Sequence, residues 1–233
     1  MASAHPICNI KFAYRRNPTL LQGFLSSDNS SRRLENKKKT NTGICSFSLV
    51  DKHGFRYFYN VFRSAGIINV TGVRSYTCMQ DAVAKFDALL EEFCQESEEE
   101  YPISQDENNL IIHSCSASGA FNNTFNLFAI VSNFSLEDET TESLREHVVV
   151  YYDPYRFAGL RLRVHNLGVM LLYASGRYFL VGVRSLDSID IFFRVCVSFL
   201  QRYAIEMVKH DDVSPLLDPI LCNNDIMALL ALV

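Results

Sequence analysis

Two short stretches of this chain repeat one another at a distance of 110 residues: Gly66 and Gly72-Val73-Arg74-Ser75 recur as Gly176 and Gly182-Val183-Arg184-Ser185. A spacing that long exceeds any solenoid unit and points to two sibling halves of one fold. Around each copy the order is the same: a β-rich run, a Gly turn, a five-residue apolar strand, a second Gly and a long amphipathic helix.

The first half opens with Ile7, Asn9 and Lys11 alternating against Cys8, Ile10 and Phe12, which predicts a strand over residues 7–14 with one polar face. Asn17-Pro18 is an N-cap followed by a first-turn proline, so a helix is expected over residues 18–25. Residues 26–41 are polar and carry Arg32, Arg33, Lys37, Lys38 and Lys39. This basic insertion reads either as a solvated loop or as a phosphate-contacting loop or nuclear localisation signal. Residues 42–73 hold three strand-like runs parted by Lys52-His53-Gly54 and Ser64-Ala65-Gly66, an antiparallel meander. Ser75 is positioned to cap the helix that follows, whose Met79, Val83, Phe86, Leu90 and Phe93 recur every three or four residues and face the sheet.

An acidic linker over residues 96–107 separates the halves. The second half repeats the plan, with a strand over 110–116, a short helix over 123–134, an acidic insertion over 135–146, strands within 147–183 and a helix over 185–203. The expected fold class is α+β: two tandem repeats, 1–107 and 108–203, sharing one curved antiparallel sheet in a pseudo-twofold saddle, with helices on the convex face alone. Residues 204–233 form an extension that either packs back on the domain or docks on a partner.

Composition narrows the function classes. With 48% hydrophobic residues the chain can bury a substantial core. The 7 cysteines are scattered without C-x-x-C spacing, which indicates neither a zinc site nor a disulfide framework. No signal peptide and no membrane-spanning run is expected, so the chain reads as cytosolic or nuclear. The 6 histidines show no H-E-x-x-H spacing, Ser118 lies in S-A-S-G-A rather than G-x-S-x-G, and no phosphate-cradling G-x-x-x-x-G-K-[ST] loop occurs. No catalytic activity, cofactor or metal is expected. A net charge of -4 excludes a generally basic coat for nucleic acid but allows a local basic stripe.

Within the second half the residues become specific. Tyr152-Asp153-Pro154-Tyr155-Arg156-Phe157-Ala158-Gly159-Leu160 resembles the Y-x-P-x-x-F-[AP]-[AG]-[VL] signature of the TATA-box-binding protein (TBP) family. Leu171-Leu172-Tyr173-Ala174-Ser175-Gly176-Arg177 is similar to that family's L-I-F-x-S-G-K, and Leu180-Val181-Gly182-Val183-Arg184 to its V-x-T-G-A-K. The resemblance covers residues 6–203 and is strongest over 152–200. It implies a saddle whose concave sheet lies on the minor groove of double-stranded DNA and whose helices meet general transcription factors or RNA polymerase. By position it makes Phe157 and Tyr173 a wedge pair that unstacks a base step. It sets Asn9 and Thr71 at minor-groove positions and Arg74, Arg163, Arg177 and Arg184 at phosphate contacts. Lys11, Arg63 and Phe179 complete the expected DNA-facing set.

The departures set further expectations. A gapless match of Gly66 to Gly176 puts Asn41 and Arg63 at the first-half wedge positions and sends Phe62 to the opposite face. The parity of the run around Phe47 stays open, so Phe47 is an alternative to Asn41. Ser114 and Val181 replace a family Asn and Thr, the loop over residues 164–167 is one residue short, and Lys11 and Asn69 stand where the family has Val. Wedges on one side alone imply less bending and weaker A·T selectivity than in the family. The expected function is a TBP-like transcription-initiation factor on promoter DNA. The alternatives are a TBP-fold adapter that binds protein instead of DNA through a face holding Arg63 and Lys11, and a helix-grip-like small-ligand domain.

Overall fold

A computed structural model describes residues 6–27, 34–39, 43–97, 110–136 and 146–204. These form an α+β fold of ten strands and four α-helices with one 3₁₀ turn, divided between two compact units, Cys8–His113 and Ser114–Val233 with Met1–Ile7.

The N-terminal unit contains β1 (Ile7–Arg15), α1 (Pro18–Ser26), β2 (Glu35–Lys39), β3 (Ile44–Val50), β4 (Arg56–Phe62), β5 (Ile67–Val73) and α2 (Tyr76–Ser97), with antiparallel strand order β2-β3-β4-β5-β1. Asn17 starts α1 as its chemistry requires, its Oδ1 accepting from the Thr19 and Leu20 N–H groups at 2.8 and 3.3 Å. Ser75 Oγ accepts from the Cys78 N–H at 3.1 Å and opens α2. That helix buries Met79, Ala82, Phe86 and Leu90, while Val83, expected inward, is half-buried. Phe86 is the hub of the core, with ring centroids 5.4 Å from Phe47, 5.6 Å from Tyr59 and 5.9 Å from Phe24. Phe47 therefore faces the helices, which removes it as a candidate for the other face. The Tyr59 hydroxyl donates to the Ala82 carbonyl at 2.8 Å, and burial pushes its pKa up, so it stays a donor.

Residues 26–41 are not a plain insertion. Residues 35–39 form β2, an edge strand paired to β3 and anchored by the buried Leu34. The outer side of β3 needs a ladder partner, and lysines suit a sheet edge because they discourage pairing with another chain. Lys37 Nζ also donates to the Leu25 carbonyl at 3.0 Å. Arg32, Arg33 and Asn41 lie outside the described residues, as do residues 98–109, 137–145 and 205–233, which hold most of the acidic stretches and the extension.

The C-terminal unit repeats the arrangement with β6 (Ile111–Ala120), α3 (Leu127–Leu136), β7 (Val148–Tyr151), β8 (Leu160–Val164), β9 (Gly168–Leu172), β10 (Arg177–Val183) and α4 (Asp187–Tyr203) in antiparallel order β6-β10-β9-β8-β7. β6 runs on past residue 116 because Gly119 and Ala120 pair with Tyr178 and Arg177. α3 starts later than expected, where Asn126 Oδ1 caps the Ala129 N–H at 3.1 Å. Its Phe134 packs on Phe199 and Tyr203 of α4 at 5.2 and 5.3 Å.

The repeated glycines carry the same strain in both units. Gly66 and Gly176 have φ of 66° and 83°, and a Cβ on either would collide with a backbone carbonyl, that of Arg16 or of Asn123. Each also accepts a backbone bond, from the Arg16 N–H at 2.9 Å and the Phe121 N–H at 3.0 Å. In each unit the helices cover the sheet face that carries the buried alternate residues, and no described helix covers the other.

Candidate nucleic-acid interface

Alternation along β8 defines the uncovered face of the C-terminal unit. Leu160, Leu162 and Val164 are buried, while Arg161 and Arg163 between them are exposed. Within the stretch 147–183, where strands are expected, the residues just before β8 form a turn, because the Arg156 and Phe157 N–H groups both bond the Asp153 carbonyl at 3.1 and 2.9 Å. That turn delivers Phe157 to the uncovered face. Gly159 makes room for its ring, since a Cβ there would come within 2.7 Å of it.

Tyr173 follows β9 and is held by its N–H to the Arg177 carbonyl at 2.9 Å. Its ring meets Phe157 edge to face with centroids 5.9 Å apart, and meets Phe179 at 6.3 Å. The structure thus brings three of the expected residues into one line of rings. Arg163 lies opposite Val149 and Val169, and Arg177 and Arg184 stand exposed at the start and just past the end of β10. Among the described residues none of these three arginines forms an ion pair.

Sequence reasoning missed Arg161. Its guanidinium lies 5.0 Å from the Phe157 ring centre and 5.9 Å from that of Tyr151, which pairs with it from β7. The signal was available: Arg161 stands two residues before Arg163, and a strand returns to the same face every second residue.

In the N-terminal unit Asn9, Thr71 and Arg74 line one open cleft of about 530 Å³ together with Phe55, Arg56, Phe58 and Gly72. Asn9 Oδ1 accepts from the Gly72 N–H at 2.7 Å, which fixes which end of the amide is oxygen. Thr71 pairs with Phe58, and the Arg74 guanidinium lies 4.6 Å over the Phe55 ring. Lys11 is exposed in the bulge between the pairs Ile10 with Val73 and Phe12 with Val70.

Arg63 is where the gapless reading fails. It lies in a 3₁₀ turn, Arg63–Ala65, with Nε donating to the Gly43 carbonyl at 3.1 Å. The ladders assign the position differently. Val61 pairs with Ile68 and Phe62 with Ile67, as Leu172 pairs with Tyr178 and Tyr173 bonds Arg177. The N-terminal turn is one residue longer, so Phe62 holds the register of Tyr173. It shares the uncovered face with Asn60 and the exposed Phe58, not the opposite face. Between those rings the floor is polar, Ser46 Oγ donating to Asn60 Oδ1 at 2.7 Å.

The solved structure of Methanococcus jannaschii TBP is similar to this chain, with a TM-score of 0.57 over 84% of this chain and 97% of that one. The fold is TBP-like. Sequence identity is 16%, so the likeness is one of architecture. No protein-family model matches the chain, and no curated protein matches it.

On this TBP-like fold charge is sorted by layer. Strands β6 to β10 contain Arg161, Arg163 and Arg177 and no aspartate or glutamate. In the N-terminal unit the one strand carboxylate is Glu35, which Arg56 engages at 3.2 Å. Helix α2 by contrast carries Asp81, Asp87, Glu91, Glu92 and Glu96. The net negative charge is therefore no measure of the sheet. Among the described residues no three His, Cys, Asp or Glu side chains are grouped to hold a metal, and no helix is long and apolar enough to cross a membrane.

Proposed function

We propose that this chain is a TBP-like transcription-initiation factor that engages the minor groove of promoter DNA through its uncovered sheet faces. The observation that carries this reading is the Phe157 and Tyr173 ring pair, standing among arginines on strands that hold no carboxylate. Aromatic rings left on an uncovered face mark an interaction site, and cations without anionic neighbours favour a polyanion. A wedge of two rings gains entry by unstacking one base step, at a cost of a few kcal/mol that contact with bent DNA offsets. Phe62 supplies a ring to the N-terminal unit at the same register, so bending need not come from one side alone. General transcription factors or a polymerase meet the helical side, where α2 is acidic and Tyr76 and Phe128 are exposed. The factor acts where promoters are transcribed, in the nucleus or, for a viral chain, in a cytosolic factory.

Anisotropy titration of an A·T-rich and a G·C-rich duplex at two salt concentrations tests the reading. Binding should weaken as salt rises, with log K falling by about 0.9 per phosphate neutralised for each unit of log salt. Absence of duplex binding at low salt would overturn it.

A further inference from the structure

The C-terminal unit presents more aromatic surface than one kinked step can use. A wedge needs two rings, and Phe157 and Tyr173 supply them. On either side of that half-buried pair stand Phe179, 42% exposed, and Tyr151, 45% exposed, and Arg161 bridges the Tyr151 end by lying over both Tyr151 and Phe157. The line crosses β7, β8, β9 and β10, roughly three strand spacings of about 4.8 Å each.

We infer that this line is a stacking platform for single-stranded DNA. In a duplex the base faces are already covered by their neighbours, so the two outer rings would find no partner there. An unpaired strand offers a π-face at every base, and alanine substitution shows each base–ring contact to be substantial and tolerant of sequence. The charge distribution selects the same ligand. The five strands of this unit bear arginines and no carboxylate, which suits a phosphate backbone and opposes an acidic peptide. The nearest acidic side chain in sequence, Asp153, is engaged by Arg156 at 3.5 Å, by the Tyr151 hydroxyl at 3.3 Å and by the Tyr155 N–H at 3.1 Å. The planar Arg161 guanidinium, lying against two rings, keeps donors at its edge for phosphate.

The inference does not rest on promoter-duplex binding, and anisotropy of the full chain against a short oligothymidylate, beside a duplex of equal length, separates the two. Wild type should bind the single strand. Tyr151→Thr and Phe179→Thr, both substitutions of exposed strand rings by a β-branched residue, should each weaken it about tenfold with the salt slope unchanged. Arg161→Lys, which keeps the charge and loses the planar stack, should weaken it without altering the fold seen by circular dichroism. Duplex binding with no single-strand binding overturns this inference and leaves the promoter reading standing; the converse supports this inference and removes that reading. Single-strand binding that all three variants retain at wild-type strength is electrostatic attraction alone, and also overturns it.

Discussion

Phe157 and Tyr173 meet edge to face, their ring centroids 5.9 Å apart, although one precedes β8 and the other follows β9. Each ring holds the other upright on the uncovered face. Phe157→Ala should therefore lower the bend of a bound duplex by about 20° or more, the smallest kink that inserted side chains produce. Energy transfer between dyes on the two duplex ends measures it. An unchanged bend would remove the wedge role.

The register of Phe62 makes a second prediction. Phe62→Ala should reduce the same bend, because Phe62 holds the ladder position of Tyr173. Arg63→Ala should leave the bend alone, since Arg63 spends its Nε on the Gly43 carbonyl. If the arginine variant bends less and the phenylalanine variant does not, the gapless alignment was right after all.

The buried charge pair of the N-terminal unit predicts a large stability effect. Arg16, 3% exposed, forks onto Asp87 through Nε at 2.8 Å and Nη2 at 2.6 Å, tying the end of β1 to α2. Asp87→Ala removes the carboxylate fork from a buried guanidinium and should cost about 3–5 kcal/mol in urea denaturation. Replacing both, as Arg16→Met with Asp87→Leu, should recover most of that loss, because the charge to be desolvated is then gone.

Asp51 predicts an acid-side dependence. Desolvation raises its pKa, but hydrogen bonds from the Phe55 and His53 N–H groups, both 2.8 Å, outweigh it, with the His53 charge and the Tyr57 hydroxyl adding to them. The folded-state pKa thus lies below the ordinary 3.8. A depressed folded pKa contributes stability that is fully present above the unfolded value and lost as pH falls through the folded one. The stability difference between wild type and Asp51→Ala should be at its full size near pH 5 and shrink below about 4. A difference that stays constant to pH 2 would remove the effect.

Local chemistry was legible in the chain itself. Asn17 capping α1, Ser75 opening α2, the glycine pair Gly66 and Gly176 at matching strained turns, and the alternation that exposes Arg163 depend on neighbours within a few residues, and sequence states those directly. The ring pair Phe157 and Tyr173 was legible too, through the motif that holds it. Four features waited for the fold. Phe62 replaced Arg63 because a turn one residue longer shifts the ladder, and sequence spacing counts residues without showing which of them loop out. β2 emerged from a polar stretch because the edge of β3 needed hydrogen bonds that hydropathy does not record. Phe47 turned to the helices because Tyr59 and Phe86 pack against it, and alternation along a strand does not by itself say which of its two faces a helix will cover. The sorting of arginines to one layer and carboxylates to another likewise has no trace in a net charge of -4; it exists only once strands and helices have taken separate sides.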